Sequence, residues 1–202
     1  MFIEIEGIES AGKTTQCLLL QEWMIKKDLD SVVVKELSST PFSKEVRRLL
    51  LENGLKDSKA EMFLFLSCKS QVFSQIIMPY LSQGKNVISD RGSGSFISYN
   101  SSILGLDKSL LIDLLNVAMP GVEPALTILI DIPVETAIKR IENRIEKTRF
   151  DMIGETYLTK QRSKFVELSN HFPRWVSIDG SLTIQEVHLE IVKHVEKLLR
   201  GT

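Results

Sequence analysis

The sequence predicts an α/β fold in which a five-stranded parallel sheet is flanked by helices. Short apolar runs rich in β-branched residues recur along the chain, and segments with helical periodicity separate them. The runs are nearly unbroken in apolar character, which is typical of a doubly wound parallel sheet covered by helices on both faces. The chain has 202 residues, of which 43% are hydrophobic, so we expect a single domain over residues 1–202.

Five segments have the pattern of buried strands, and they are residues 2–6, 31–36, 86–90, 126–131 and 175–179. Between them, apolar residues recur at the spacings that place them on one face of a helix. The predicted helices are residues 14–27, 44–51, 59–81, 107–117, 134–144, 155–169 and 183–199. Residues 92–105 contain several Ser and Gly and show no clear period, so we predict a long functional loop there.

Composition excludes several classes of function. Lys and Arg number 25 against 26 Asp and Glu, and a net charge of -1 gives no overall positive field to gather nucleic acid. The start of the chain lacks the pattern of a secretory signal, and no stretch reaches the roughly 20 apolar residues of a membrane-spanning helix. We therefore expect a cytoplasmic protein without nucleic-acid or membrane partners.

Cys17 and Cys68 fall in predicted amphipathic helices, where free thiols usually pack as small apolar groups.

A phosphate-binding motif follows the first predicted strand. It reads Gly7-Ile8-Glu9-Ser10-Ala11-Gly12-Lys13-Thr14 and satisfies G-x-x-x-x-G-K-[ST] between a strand and a helix. The glycines let successive backbone N–H groups face an anion, and the helix adds the positive end of its dipole. A glycine turn that happens to precede a helix is the alternative, but it does not require the Lys-Thr pair. The motif predicts an ATP site formed by Gly7, Ile8, Glu9, Ser10, Ala11, Gly12, Lys13, Thr14 and Thr15.

The third predicted strand ends in Asp90-Arg91. Ligands of open α/β sheets bind at the carboxyl ends of the strands, so this pair should lie beside the phosphate-binding motif. We predict that Thr14 and Asp90 hold Mg²⁺ and that Arg91 binds a phosphate through its guanidinium fork. A surface ion pair at a strand end is the alternative for these two residues taken alone, and the motif upstream favours the functional interpretation.

With these motifs the chain resembles the thymidylate kinases, which transfer the γ-phosphoryl group of ATP to dTMP. The similarity covers nearly the whole chain. It rests on Phe2-Ile3-Glu4-Ile5-Glu6-Gly7, Gly12-Lys13-Thr14-Thr15-Gln16, Thr40-Pro41, Arg47-Arg48-Leu49-Leu50, Val87-Ile88-Ser89-Asp90-Arg91 and Leu129-Ile130-Asp131-Ile132-Pro133. The resemblance implies the fold of the P-loop NTPases and nucleoside monophosphate kinases, and a homodimer with the helix 59–81 in the contact.

The resemblance also implies an acceptor site. Glu9 would contact the sugar hydroxyl, and Arg47 and Arg91 would hold the acceptor phosphate. Phe65 would stack on the base, and Tyr99 would pack against the sugar. Guanidinium forks suit a monophosphate and an aromatic ring suits a flat base. The full acceptor set is Glu9, Lys35, Arg47, Phe65, Lys69, Arg91, Ser95, Phe96 and Tyr99.

In this family a catalytic arginine comes from the phosphate loop or from a lid. The loop of this chain has Ser10, so the resemblance implies that a lid around residues 140–152 supplies it. Arg149 aligns best and Arg144 second. The alternative is a solvated helix face on which Arg140 and the other arginines pair with nearby glutamates. The predicted catalytic set is Lys13, Arg91, Arg149 and Glu9.

The chain departs from the family pattern around the acceptor site. Lys35 stands where the family has the arginine of Arg-Glu-Pro, Lys69 where an arginine reads the base, Gly92 where Asp-Arg is followed by Tyr, and Phe96 where a polar residue meets the base. The predicted function is phosphorylation of dTMP to dTDP. A P-loop kinase for another nucleotide, nucleoside or small metabolite, and a nucleotide-binding protein without turnover, remain as alternatives.

Overall fold

A computed structural model describes residues 1–52, 57–145 and 154–201. Within these residues, five parallel strands form one sheet in the order β2-β3-β1-β4-β5. The strands are β1 (Phe2–Glu6), β2 (Ser31–Lys35), β3 (Asn86–Asp90), β4 (Leu126–Asp131) and β5 (Trp175–Asp179). The predicted fold class and strand positions are confirmed, with β2 one residue shorter than expected.

Helices connect successive strands and cover the sheet. They are α1 (Lys13–Lys26), α2 (Pro41–Glu52), α3 (Ser58–Val72), α4 (Met78–Ser82), α5 (Ser93–Leu104), α6 (Lys108–Ala118), α7 (Val134–Glu142), α8 (Glu155–His171) and α9 (Ile184–Arg200). A π-helical segment, Phe73–Ile77, joins α3 to α4. None of the helices in the described part of the chain is long and apolar enough to cross a membrane.

The central strand β1 has two different faces. Ile3 and Ile5 lie in the main apolar cluster with side chains from α1 and α9. Phe2 is in a second cluster with residues of the π-helical segment. Because side chains alternate along a strand, Glu4 and Glu6 share the face of Phe2, and both are fully buried. The face of β1 opposite α1 therefore carries two carboxylates that need hydrogen-bond donors.

The predicted loop over residues 92–105 is wrong, because most of this segment forms α5. Buried acidic side chains on β1 bind its first turn. One oxygen of Glu6, Oε1, accepts hydrogen bonds from the backbone N–H groups of Gly92 at 2.9 Å and Ser95 at 2.7 Å. The helix also packs so closely that a Cβ on Gly94 would lie 2.4 Å from the Trp175 ring. Because this contact is so close, the segment contains small and polar residues. It therefore lacks the apolar periodicity that would have predicted a helix.

The single helix predicted over residues 59–81 consists of three consecutive helical segments, which are α3, the π-helical segment and α4. The N–H of Met78 donates to the carbonyl of Phe73, five residues earlier, in a π-helical turn. Pro79 follows, and proline has no N–H and cannot pack against the carbonyl four residues before it. The wider turn accommodates the proline without ending the helical segment.

The two cysteines are buried free thiols. Cys17 packs in the main apolar cluster, and Cys68 packs beside Val46 and Leu50 of α2. Burial raises the pKa of Cys68 to about 12. Both residues pack as the sequence predicts.

Candidate active site

The loop between β1 and α1 turns around two glycines. Gly7 has a φ of 146°, and a Cβ on it would lie 2.6 Å from the carbonyl oxygen of Ile130 on β4. Gly12 has a φ of 99° directly before α1 begins. Only glycine fits the contact at position 7, since both the backbone angle and the neighbouring strand exclude a side chain. The loop therefore lies tightly against the sheet with the N-terminus of α1 directed at it.

The ammonium of Lys13 lies inside this loop. Its Nζ donates to the carbonyl oxygens of Gly7 at 2.9 Å and Ile8 at 2.6 Å. Burial and the charge of Arg91 lower the pKa of Lys13 to about 8, while Glu9 acts in the opposite direction. A bound polyphosphate would favour the charged form of Lys13 for the same electrostatic reason that Glu9 does.

Thr14, Asp90 and Lys35 meet at the mouth of the loop. The Thr14 hydroxyl donates to Asp90 Oδ2 at 2.5 Å, and Lys35 Nζ lies 3.1 Å from the same oxygen and 3.2 Å from Thr14 Oγ1. Burial opposes ionisation of Asp90, but the hydrogen bond from Thr14 and the charge of Lys13 lower its pKa below the ordinary value. Asp90 is therefore a carboxylate at neutral pH.

The hydroxyl and carboxylate oxygens of Thr14 and Asp90 fit Mg²⁺, which prefers oxygen ligands. The described residues contain no group of three or more His, Cys, Asp or Glu that could hold a metal on its own. A magnesium ion at this position would thus take most of its remaining ligands from water and nucleotide phosphates, as is usual for this ion.

Arg91 links the end of β3 to the phosphate loop. Its guanidinium forms an ion pair with the Glu9 carboxylate and donates to Ser95 Oγ at 3.3 Å. Burial opposes ionisation of Glu9, but the charges of Arg91 and Lys13 outweigh it and lower the pKa of Glu9. The backbone of Arg91 has a positive φ of 77° and is fixed by a hydrogen bond from its N–H to the Ile5 carbonyl at 3.0 Å. The predicted neighbourhood of Asp90, Arg91 and the loop is present.

A cavity of about 250 Å³ opens beside this ion pair. Lys13 and Thr14 of the phosphate loop form part of its wall. All the predicted acceptor residues except Lys69 also line it, namely Glu9, Lys35, Arg47, Phe65, Arg91, Ser95, Phe96 and Tyr99. The cavity therefore joins the phosphate loop to the residues at which the sequence places a second substrate.

Aromatic rings form one wall of the cavity. The ring centroids of Phe65 and Tyr99 are 5.9 Å apart, as are those of Tyr99 and Tyr157. The Tyr99 hydroxyl donates to Glu61 Oε2 at 3.0 Å, which fixes the ring. Such a wall suits a flat base, because aromatic groups pack in offset-stacked or edge-to-face arrangements.

Six cavity residues were not predicted from the sequence, namely Glu36, Leu37, Ser38, Asn100, Tyr157 and Gln161. Tyr157 and Gln161 lie four residues apart on α8 and so share one helix face, and that spacing was the available signal. Asn100 lies in the segment predicted as a loop. Its Nδ2 donates to the Phe96 carbonyl at 2.7 Å. The side-chain oxygens of Asn100 and Gln161 are buried and accept no hydrogen bond from the described residues.

Lys69 is not among the described residues that line the cavity. Its side chain is buried, with Nζ 3.0 Å from Glu36 Oε2 and 3.0 Å from the Gly92 carbonyl oxygen. The structure thus brings the predicted acceptor residues together around one cavity and leaves Lys69 outside it.

A second cavity, of about 260 Å³, lies on the other side of the phosphate loop. Lys13 and Thr14 line this cavity as well, together with Arg140 and Arg144 of the α7 region. Arg140 donates to the Ser10 carbonyl and to the Gly180 carbonyl, each at 3.2 Å, so it ties α7 to the phosphate loop. Arg149 and residues 146–152 of the predicted lid lie outside the described residues. The catalytic role of Arg149 stays a prediction.

The protein-family model described as Thymidylate kinase matches residues 5–191. The chain belongs to the thymidylate kinase family. The probable thymidylate kinase of Thermococcus onnurineus is 40% identical over 204 aligned residues, covering 97% of each chain. The thymidylate kinase of Kosmotoga olearia is 31% identical, covering 96% of this chain and 94% of its own, and that of Prochlorococcus marinus is 35% identical, covering 99% and 98%. The resemblance inferred from the motifs is confirmed.

Replacing the loop lysine, Lys13→Ala, removes the charge that lies within the loop. We expect turnover with ATP to fall by about 100-fold or more. Removing one preorganised hydrogen-bond donor that stabilises a transition state has an effect of this size. A coupled assay of ADP release measures turnover, and calorimetry measures ATP affinity. The matched control is Lys26→Ala, an exposed lysine at the far end of α1. Unchanged ATP affinity and turnover in Lys13→Ala would contradict the assignment of the loop.

Proposed function

We propose that this chain transfers the γ-phosphoryl group of ATP to dTMP, forming dTDP and ADP. One observation carries the proposal: the aromatic cavity and the cavity beside the arginines share Lys13 and Thr14. A nucleotide on each side of the loop would bring two phosphate groups together at these residues. Membership of the thymidylate kinase family supports ATP as the donor and dTMP as the acceptor.

On the donor side, the loop amides and the N-terminus of α1 bind the phosphates of ATP, and Lys13 places its charge beside the β- and γ-phosphates. We propose that Thr14 and Asp90 hold magnesium together with the bound nucleotide. Bound there, magnesium supplies positive charge that offsets the charge of the phosphate oxygens. Lys35, 3.1 Å from Asp90 Oδ2, adds a cation on the acceptor side of the same carboxylate.

On the acceptor side, Arg47 and Arg91 hold the phosphate of dTMP, and the aromatic wall packs against its base. The acceptor phosphate then takes over part of the pairing that Glu9 provides to Arg91 in the free protein. An oxygen of this phosphate attacks the γ-phosphorus, and the bond from that phosphorus to the bridging oxygen of ADP breaks. The acceptor phosphate is already ionised near neutral pH, so positioning and positive charge carry the reaction.

Charge stabilisation of the transferring group is proposed to come from the donor side as well. Arg144 lines the cavity beside the phosphate loop, and Arg149 is the lid residue that aligns with the catalytic arginine of the family. Their guanidinium groups would spread positive charge over the phosphoryl oxygens as the lid closes.

Steady-state kinetics with a panel of monophosphates test the proposal. With ATP as donor, we expect the highest kcat/KM for dTMP among dTMP, dUMP, dCMP, dGMP and UMP. The same assay with Lys13→Ala protein serves as the control for contaminating kinases. Equal or better turnover of dCMP, UMP or dGMP would overturn dTMP as the acceptor, and no turnover of any monophosphate would overturn the assignment as a nucleoside monophosphate kinase.

The amides of Gln161 and Asn100 are proposed to read the base. Thymine presents an N–H between two carbonyl oxygens, which matches the acceptor and donor atoms of a carboxamide. We expect Gln161→Leu to lower kcat/KM for dTMP by about tenfold, the scale of one buried hydrogen bond, and to leave KM for ATP unchanged. The exposed residue Gln185 provides the control variant Gln185→Leu. A Gln161→Leu enzyme with unaltered dTMP kinetics would exclude Gln161 from base recognition.

We also propose a cytoplasmic homodimer with the face of α3 and α4 in the contact. Phe63 of α3 and Met78 of α4 are large apolar side chains that are 57% and 39% exposed. Burying them against a second copy would remove apolar surface from water. Sedimentation equilibrium should give the mass of two chains, and a monomer mass at micromolar concentration would contradict the proposal.

A further inference from the structure

The side chain of Lys69 is buried and contacts protein groups on two sides. Its side chain is 5% exposed, and Nζ binds both the Glu36 carboxylate and the Gly92 carbonyl. These contacts use two of the three donors of the ammonium, and both partners belong to the protein. Lys69 is therefore placed to hold the protein chain.

Glu4 occupies the space beside Gly92. Its Oε1 accepts hydrogen bonds from the Ser93 N–H at 3.1 Å and the Ser93 hydroxyl at 3.2 Å. A Cβ on Gly92 would lie 2.1 Å from Glu4 Cδ, far inside contact distance. Gly92 has a negative φ of -151°, so its backbone angle does not require glycine. A side chain at position 92 would therefore require the buried Glu4 carboxylate to move away from its contacts with Ser93.

The charges in this region are coupled. Lys69 pairs with the carboxylate of Glu36, and the charges of the buried residues Glu4 and Glu6 also act on its ammonium. Burial and the charge of Glu6 raise the pKa of Glu4 to about 7, and Lys69 acts against this shift. Removing Lys69 would leave buried carboxylates without their cation, which is far more costly than removing an exposed pair.

Both polar backbone atoms of Gly92 are held by buried charged side chains. Its N–H donates to Glu6 Oε1 at 2.9 Å, and its carbonyl accepts from Lys69 Nζ at 3.0 Å. The preceding residue is Arg91, whose positive φ is uncommon for a residue with a side chain. Such a conformation persists only where its surroundings fix it, and the grip on Gly92 is part of those surroundings.

We propose that Glu4, Gly92 and Lys69 act as one positioning unit that holds the backbone next to Arg91 and so aims its guanidinium at the acceptor phosphate. Lys69 is then a positioning residue at the place where the resemblance implies a base-reading arginine. The proposal rests on the proposed function, since it concerns the same acceptor phosphate. The proposal also explains two departures from the family pattern together. Lys69 binds the carbonyl of Gly92, and Glu4 occupies the space beside Gly92.

The contact between Glu4 and Gly92 is tested with the single variants Gly92→Ala and Glu4→Ala and with the double variant. We expect Gly92→Ala to raise KM for dTMP by about tenfold in the wild-type background and by less than about threefold in the Glu4→Ala background, because residues in contact are not additive. KM for ATP should stay constant throughout. The same coupling should appear in urea unfolding, which needs no substrate. Equal effects of Gly92→Ala in both backgrounds, in kinetics and in unfolding, would overturn the proposal.

Lys69→Met separates positioning from base reading. A positioning residue lowers kcat/KM for dTMP, dUMP and dCMP by the same factor, about tenfold or more, whereas a base reader changes the ratios among them. The control is Lys193→Met, whose ion pair with Glu190 is exposed. Should Lys69→Met not fold, the variant Lys69→Met with Glu36→Gln removes both charges and tests the same point.

Changed substrate ratios, or unaltered kinetics, in a folded Lys69 variant would overturn the positioning role while the wild-type enzyme still phosphorylated dTMP. A wild-type chain that phosphorylated no monophosphate would instead refute the proposed function, and the positioning role with it.

Discussion

Two carboxylates buried on the central strand set the arrangement of the acceptor half of the molecule. Glu4 and Glu6 cannot reach water, so the chain has to bring hydrogen-bond donors to them. The first turn of α5 supplies these donors through its backbone N–H groups and serine hydroxyls. These hydrogen bonds fix the start of α5 beside the phosphate loop, which follows the same strand directly after Glu6. The residues of β1 therefore determine both where acidic side chains are buried and where the site lies.

The free site balances its own charges. The ammonium of Lys13 rests on loop carbonyls, Arg91 pairs with Glu9, and Lys35 pairs with Asp90. Each of these cations is therefore held in place before any phosphate arrives. In the proposed reaction, substrate phosphates would bind cations that are already in place, which is the basis of electrostatic preorganisation in phosphoryl transfer.

The sequence predicted the sheet and the phosphate loop because both depend on local pattern. The strands carry short runs rich in apolar and β-branched residues, and the loop motif needs fixed residues at fixed spacing. It failed for α5, whose close packing against Trp175 replaces apolar residues with glycine and serine. The resemblance also placed Lys69 in the acceptor site. In the structure this side chain turns inward, toward carboxylates of β1 and of Glu36 after β2, and no local pattern in the sequence shows this. Contacts between segments distant along the chain carry no local period.

The wall that the two cavities share has a consequence for inhibitor chemistry. Lys13 and Thr14 border both cavities, so the two proposed nucleotide positions meet at these two residues. A single compound in which a phosphate chain joins two nucleosides could pass these residues and occupy both positions. Such a compound loses its translational freedom once, not twice, and its affinity can exceed that of either half by several orders of magnitude. The length of the phosphate bridge would then report how closely the two substrates approach.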